Sequence, residues 1–339
     1  MKPHIENRTP YAVLIRRGAV MPSGFSYQAL TKPPPWGTQV VVKATFAFQE
    51  GMLQPAPEQL PVLELDRDGD EGFWENDAVF HKDGVDLVVL GEACAPGGGE
   101  VQSLPVTLTL GARTFPLLVT GDRRWVRQEG GWAASAPLPF SRMPLTYERA
   151  FGGTFHDQWE LDHVFTRNPV GKGWTPNIEG FEFEGRPLPN VEDPAHAVTS
   201  PEQEPDPAGF AFYRLTWGLR LAAGVAGKDD GTPEVLPRLW NCAHPSLILP
   251  AYPKGQLLRL DGMHPGGPVG VAVPNLPVTL EYSAGGETRQ LPAKPDLLCV
   301  MPTEGLVVVV ARWLLSGPAT DPPPYNLRLL PETLTREEV

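Results

Sequence analysis

Cysteine is scarce in this 339-residue chain. Cys94, Cys242 and Cys299 are an odd count without CxxC spacing, an arithmetic that suits neither a disulfide framework nor a thiolate zinc site and fits a reducing compartment. Long apolar runs are missing as well. No window approaches the roughly 18 apolar residues of a membrane span, and Pro3, Glu6 and Asn7 interrupt the region where a signal peptide needs an unbroken apolar stretch. The expectation is a cytoplasmic protein with no membrane partner. Positive charge is in deficit, with 28 Lys and Arg against 40 Asp and Glu and a net charge of −12, so the field of the whole protein repels phosphate backbones and argues against nucleic acid. The sequence also contains no GxSxG, HExxH, Walker GK[ST] or GxGxxG. Gly171-Lys172-Gly173 has glycine where a phosphate loop needs the hydroxyl that meets magnesium. The reading is a non-enzyme without a cofactor.

Glycine and proline, by contrast, are plentiful at 35 and 40 residues. Proline lacks a backbone donor and glycine loses the most entropy on ordering, so long helices are excluded and short strands joined by turns are favoured. Strands are expected at Ala12 to Ile15, Gln39 to Phe48, Val85 to Gly91, Val101 to Leu110 and Phe115 to Thr120, and again at Gln256 to Leu260, Val278 to Tyr282, Leu297 to Met301 and Leu306 to Leu315. Val106 to Leu110 alternates with period two, as a strand with one buried face does, whereas Val40 to Val42 and Leu87 to Leu90 read as buried on both faces. The fold class is mainly β: an antiparallel β-sandwich or barrel-like lobes with long ordered loops and few short helices, one of them over Trp217 to Gly227. The chain divides into an N-terminal β lobe (1–143), a loop-rich motif segment (144–209) and a C-terminal β lobe (210–339), the lobes being either separate or parts of one intertwined domain.

The motif segment loses periodicity but keeps Phe151, Phe155, Trp159, Phe165, Trp174, Phe181 and Phe183. Disordered chains are poor in such residues, so an ordered loop is expected, except over the acidic, proline-rich stretch His196 to Ala208, which reads as mobile. Three runs stand out within it: Pro144 to Gly153, Asn168 to Gly173 and Leu188 to Pro194. The candidate residues for partner binding or loop locking are Tyr147, Glu148, Arg149, Phe151, Gly152, Gly153, Asn168, Pro169, Lys172, Trp174 and Asn190. An Arg beside Glu and Tyr can form charge-assisted hydrogen bonds and stack on a ring, which either pins a long loop or grips a partner. Metal candidates are weaker. Asp66, Asp68 and Asp70 have calcium-loop spacing with glycine one place late, and His156 and His163 lie among Asp157, Glu160 and Asp162 without a close His pair. Two further readings follow from the acids: a carbohydrate-active or metal-assisted hydrolase using Glu148 with Asp157 or Asp162, and a calcium-stabilised structural module.

The order of short motifs resembles the type VI secretion accessory family, encoded beside spike, PAAR-like and effector genes. The resemblance runs from Asn7-Arg8-Thr9-Pro10-Tyr11 and Val42-Lys43-Ala44-Thr45-Phe46 through Asp86 to Gly91, Ala95-Pro96-Gly97-Gly98 and Gly121-Asp122-Arg123-Arg124-Trp125 to the three runs above. It departs in the last third, where Leu239 to Pro245 keeps only Asn241, Ala243 and Pro245 of the family pattern. The resemblance implies an adaptor or chaperone whose partners are a secreted effector and a spike or PAAR-like tip protein, with no catalytic residues to carry over.

Overall fold

The computed structural model describes residues 5–18, 37–49, 52–69, 72–79, 82–157, 161–176, 181–213, 222, 225–227, 233–284, 286–316 and 326–331. The chain is mainly β, its described helical turns being short 3-10 segments such as Tyr147–Arg149 and Pro237–Trp240. Among these residues no sheet closes into a barrel, and no helix is long and apolar enough to cross a membrane.

The largest sheet runs in the order Ala12–Gly18, Gly37–Gln49, Leu306–Ser316, Pro295–Met301, Val85–Val89, Ile248–Leu249, with Met52–Pro55 paired to Gly37–Gln49. Strands from before residue 143 and after residue 210 are thus hydrogen-bonded to one another in a single sheet. The pair Pro295–Met301 and Val85–Val89 is parallel; the other pairings are antiparallel. Val40, Val41, Val42, Leu87, Val88 and Val89 are fully buried, because β-branched residues without alternation suit a strand covered on both faces.

A five-stranded antiparallel sheet takes the order Val191–Glu192, Arg113–Thr120, Ser103–Leu110, Leu257–Asp261, Val269–Ala272. Leu104, Val106, Leu108 and Leu110 point inward while Thr107 and Thr109 are half-buried, the one-sided pattern that alternation in the sequence requires. The third sheet is Ile5–Asn7, Asn326–Pro331, Val278–Ala284, Glu287–Pro292. One hydrophobic cluster joins residues of all three sheets. The expected helix over Trp217 to Gly227 lies almost entirely outside the described residues, and its end, Val225–Gly227, is a strand paired with Pro233–Val235. Asp70 and Glu160 also lie outside them.

The large sheet carries charge in its interior. Cross-strand register puts Lys43, Arg312 and Asp86 on one face, where Lys43 Nζ meets Asp77 Oδ2 at 2.8 Å and Arg312 pairs with Asp296. Lys82 Nζ donates to Asp86 Oδ2 at 2.7 Å and to Cys242 Sγ at 2.8 Å, and Asn241 Nδ2 donates to Asp86 Oδ1 at 2.8 Å. The backbone N–H of Cys242 adds a third bond to that carboxylate at 2.9 Å. Burial alone pushes the Asp86 pKa up, but Lys82 and the donors from Asn241 and Cys242 outweigh it and hold the carboxyl below its ordinary value. Burial likewise drives the Cys242 thiol well above its ordinary value, aided by Asp86, so it remains protonated.

Removing one member of a buried, hydrogen-bonded pair strands the other charge, at a cost of about 3–5 kcal/mol. Asp86→Ala is therefore expected to lower the urea unfolding free energy by about that amount, and an unchanged midpoint would contradict the network. Because the folded-state value is depressed, the stability that Asp86 contributes is present above about pH 3.9, the unfolded value, and is lost as pH falls through the lower folded one. Asp86→Asn should flatten that acid limb.

Candidate functional site

The motif segment has little regular structure. Its pairings are two residues long at Phe151–Gly152 with Lys172–Gly173, and three at Thr154–His156 with Asp162–Val164. Its buried backbone groups need other partners, and two asparagines supply them. Asn168 is fully buried, and its Nδ2 donates to the carbonyls of Tyr147 at 2.8 Å and Phe151 at 3.0 Å. Its own carbonyl accepts the N–H of Gly153 at 2.8 Å. Asn190, also fully buried, donates through Nδ2 to Thr120 O at 2.9 Å and Asp122 Oδ1 at 3.1 Å, and its backbone N–H donates to Arg149 O at 2.8 Å. Gly152 closes the same knot. Its φ is +147°, and a Cβ there would lie 2.2 Å from Asn168 O, so no side chain fits.

Aromatic packing completes the pinning. Tyr147 is buried, its hydroxyl donates to Gly209 O at 3.1 Å, and its ring lies 4.6 Å from that of Tyr213. Phe151 meets Phe165 edge to face at 5.2 Å, inside a small core with Trp125, Leu188 and Val198, against which Trp174 packs. Trp174 Nε1 donates to Glu204 Oε1 at 2.9 Å, and Arg167 pairs with Asp206. The stretch His196 to Ala208, read from composition as mobile, is tied by these contacts to the motif segment. It walls a groove of about 990 Å³ whose other side is the strand Arg113–Thr120. Pro116 stands where a backbone N–H would face that open edge, which blunts the edge against further strands.

Of the sequence candidates, Tyr147, Phe151, Gly152, Gly153, Asn168 and Asn190 are buried locks. Pro169 is half-buried, and its carbonyl accepts from Thr154 Oγ1 at 3.1 Å. Glu148 is exposed, while Arg149, Lys172 and Trp174 are half-buried. Arg149 and Lys172 converge on a residue outside the candidate set, Asp122: Lys172 Nζ lies 3.1 Å from its Oδ1 and Arg149 Nη1 3.8 Å. The bond from Asn190, then Lys172, hold the Asp122 carboxyl below its ordinary value. Arg123, bonded to Glu192 and to Pro189 O, stands behind them. The signal was the run Gly121 to Trp125, which a search restricted to the loop segment does not reach.

The metal candidates do not converge. Register on the small hairpin pairs Phe155 with His163 and His156 with Asp162, so the two histidines face opposite sides of the ribbon. His156 bonds Asp162, and His163 Nε2 lies 2.9 Å from Asp157 Oδ2. Asp66 Oδ1 is occupied by the backbone N–H and Nδ2 of Asn76, and Asp68 is exposed. Among the described residues no three His, Cys, Asp or Glu are grouped to hold a metal ion.

Asn168→Ala leaves two buried carbonyls without their side-chain donor, at about 1–3 kcal/mol each. Urea unfolding should show that loss, with new protease cleavage inside residues 144–194, and Asn168→Asp should be worse because a charge replaces the donor. Glu148→Ala should stay within about 0.5 kcal/mol of wild type. Equal stability of all three would contradict the lock.

Residues 37–312 match the model of the DUF2169 family, described as an uncharacterized protein conserved in bacteria. No curated protein and no solved structure matches the chain. With the match spanning most of the large sheet, the five-stranded sheet and the whole motif segment, the chain belongs to this bacterial family.

Proposed function

We propose that the protein is a non-catalytic adaptor that holds another protein on the outer face of its locked motif segment. The observation that carries this reading is a ladder of half-buried rings. Trp132 and Phe183 have centroids 5.7 Å apart, Phe183 and Phe181 5.0 Å, and Phe181 and Phe155 5.1 Å. Arg186 lies over both Phe155 and Phe181, and Arg127 over Trp132. Aromatic rings and arginine dominate the residues that carry binding energy at protein interfaces, because they offer large contact area at little entropic cost. The knot beneath holds the rings in place before any partner arrives, which limits the ordering cost of association.

The order of motifs suggests what the partner is. By that resemblance the client is a type VI secretion effector, held in the cytoplasm and passed to the spike or a PAAR-type tip. The family description names no activity or partner, so this part of the proposal rests on the motifs alone. The net charge of −12 would favour encounter with a basic client by steering.

The double variant Phe155→Ala, Phe181→Ala removes the half of the ladder that does not pack on the small core around Trp125. Truncating central interface anchors typically costs 2 kcal/mol or more, roughly a thirtyfold loss of affinity. Co-expression with the product of each flanking gene, followed by co-purification, should recover a complex with wild type and lose it with the variant at an unchanged melting midpoint. A complex retained by the variant would remove the ladder from the interface. Secretion of a flanking effector at full level from a deletion strain would refute the adaptor role.

A further inference from the structure

A second feature lies at the base of the hairpin Trp125–Gln128 and Gly131–Ala134, whose outer strand carries Trp132. Here the chain forms a pocket of about 340 Å³ lined by Arg123, Arg124, Arg149 and Lys172 with Asp122 as the one carboxylate. In a chain with 28 cations against 40 acids, four cations around one wall acid reverse the local sign of the field. Asp122 cannot balance them. Its Oδ1 already takes Lys172 and Asn190, with Arg149 at 3.8 Å. Glu192 neutralises Arg123 from behind, yet Arg123 Nε remains buried without a hydrogen-bond partner. Among the described residues the Arg124 guanidinium reaches one acceptor, Gly185 O at 3.5 Å, and no carboxylate.

The cations are also placed in advance. Asn190 Oδ1 accepts from Arg149 Nη1 at 3.3 Å, and Lys172 is fixed by its pairing with Phe151–Gly152. Partial burial, opposed by Asp122 and reinforced by Arg149 and Arg123, lowers the Lys172 pKa. The last wall is apolar: Leu138 is 61% exposed beside the charged groups. A free inorganic anion has no use for that side chain, whereas a peptide with an apolar residue next to an acid would cover it.

We infer that this pocket is the docking site for an acidic segment of a partner protein, its carboxylates meeting Arg124, Arg149 and Lys172 and a neighbouring apolar side chain covering Leu138. Carboxylates suit guanidinium groups because two parallel N–H donors meet two oxygens. The overall negative charge makes the interaction local: long-range repulsion discourages acidic proteins in general, and a segment that reaches this pocket is selected by its sequence. The inference is independent of the aromatic ladder and of secretion.

A dye-labelled peptide alternating glutamate with leucine tests it by fluorescence anisotropy on the full chain, with the glutamine counterpart of the same peptide as control. The expected result is binding that weakens as salt is raised, about tenfold or more weaker for the glutamine peptide. Arg124→Glu should cost a similar factor at an unchanged melting midpoint, while Arg289→Glu on the far sheet should have no effect. Leu138→Ser, which leaves the charge untouched, should also weaken the peptide, and it decides the case if Arg124→Glu disturbs folding. Equal affinity for the two peptides, or full binding by both Arg124→Glu and Leu138→Ser, would overturn the inference. Binding of inorganic phosphate without binding of the peptide would overturn it in favour of a small-anion site.

Discussion

Everything outward-facing in this molecule depends on two buried amides. Asn168 and Asn190 substitute for the ladders that a segment rich in Gly, Pro and aromatics cannot form, each satisfying backbone carbonyls of strands or turns distant in sequence. An asparagine is suited to the task because it offers two donors and an acceptor in the span of one short side chain. The price is rigidity of composition, since Gly152 must stay glycine to let Asn168 O approach. Without the knot, the rings of Phe155 and Phe181 and the cations of Arg149 and Lys172 would belong to a wandering loop, and binding through them would have to order it first.

The scaffold beneath is stiff for a different reason. The strand Leu306–Ser316 lies between Gly37–Gln49 and Pro295–Met301, so the first and last thirds of the chain meet in one hydrogen-bonded sheet. The buried charges on that sheet tie distant segments together: Asp86 accepts bonds from its near neighbour Lys82 and, from about 155 residues away, from Asn241 and the Cys242 backbone. In a chain of net charge −12, a basic pocket beside the motif segment stands out on the described surface.

How much of this could be read from residues alone varies with the physics involved. The strands were legible because period-two alternation and β-branched runs report burial directly, and Val106 to Leu110 shows it clearly. The motif segment was legible as ordered from its aromatic content. What could not be read was the division of labour within it. Asn168 and Asn190 stood among residues that could either lock the loop or bind a partner, and only their tertiary contacts assign them to the lock. Asp122 was missed as a site residue because it sits fifty residues before Lys172 and meets it through a tertiary side-chain contact rather than spacing. His156 and His163, close in sequence, are separated by the register of their own hairpin. Sequence proximity implied a cluster, and strand geometry divided it.

The measurement that bears most directly on the account is native-state hydrogen exchange on the isolated protein, read at the amides of Gly153, Lys172 and Asn190, which bond to Asn168 O, Ala150 O and Arg149 O. If the motif segment is a locked platform, these amides exchange only through global unfolding, as slowly as those of Leu298 and Val308 in the large sheet. Exchange at loop-like rates while Leu298 and Val308 stay protected would show that the segment opens freely on its own, and the rigid platform on which the proposed interfaces are built would be gone.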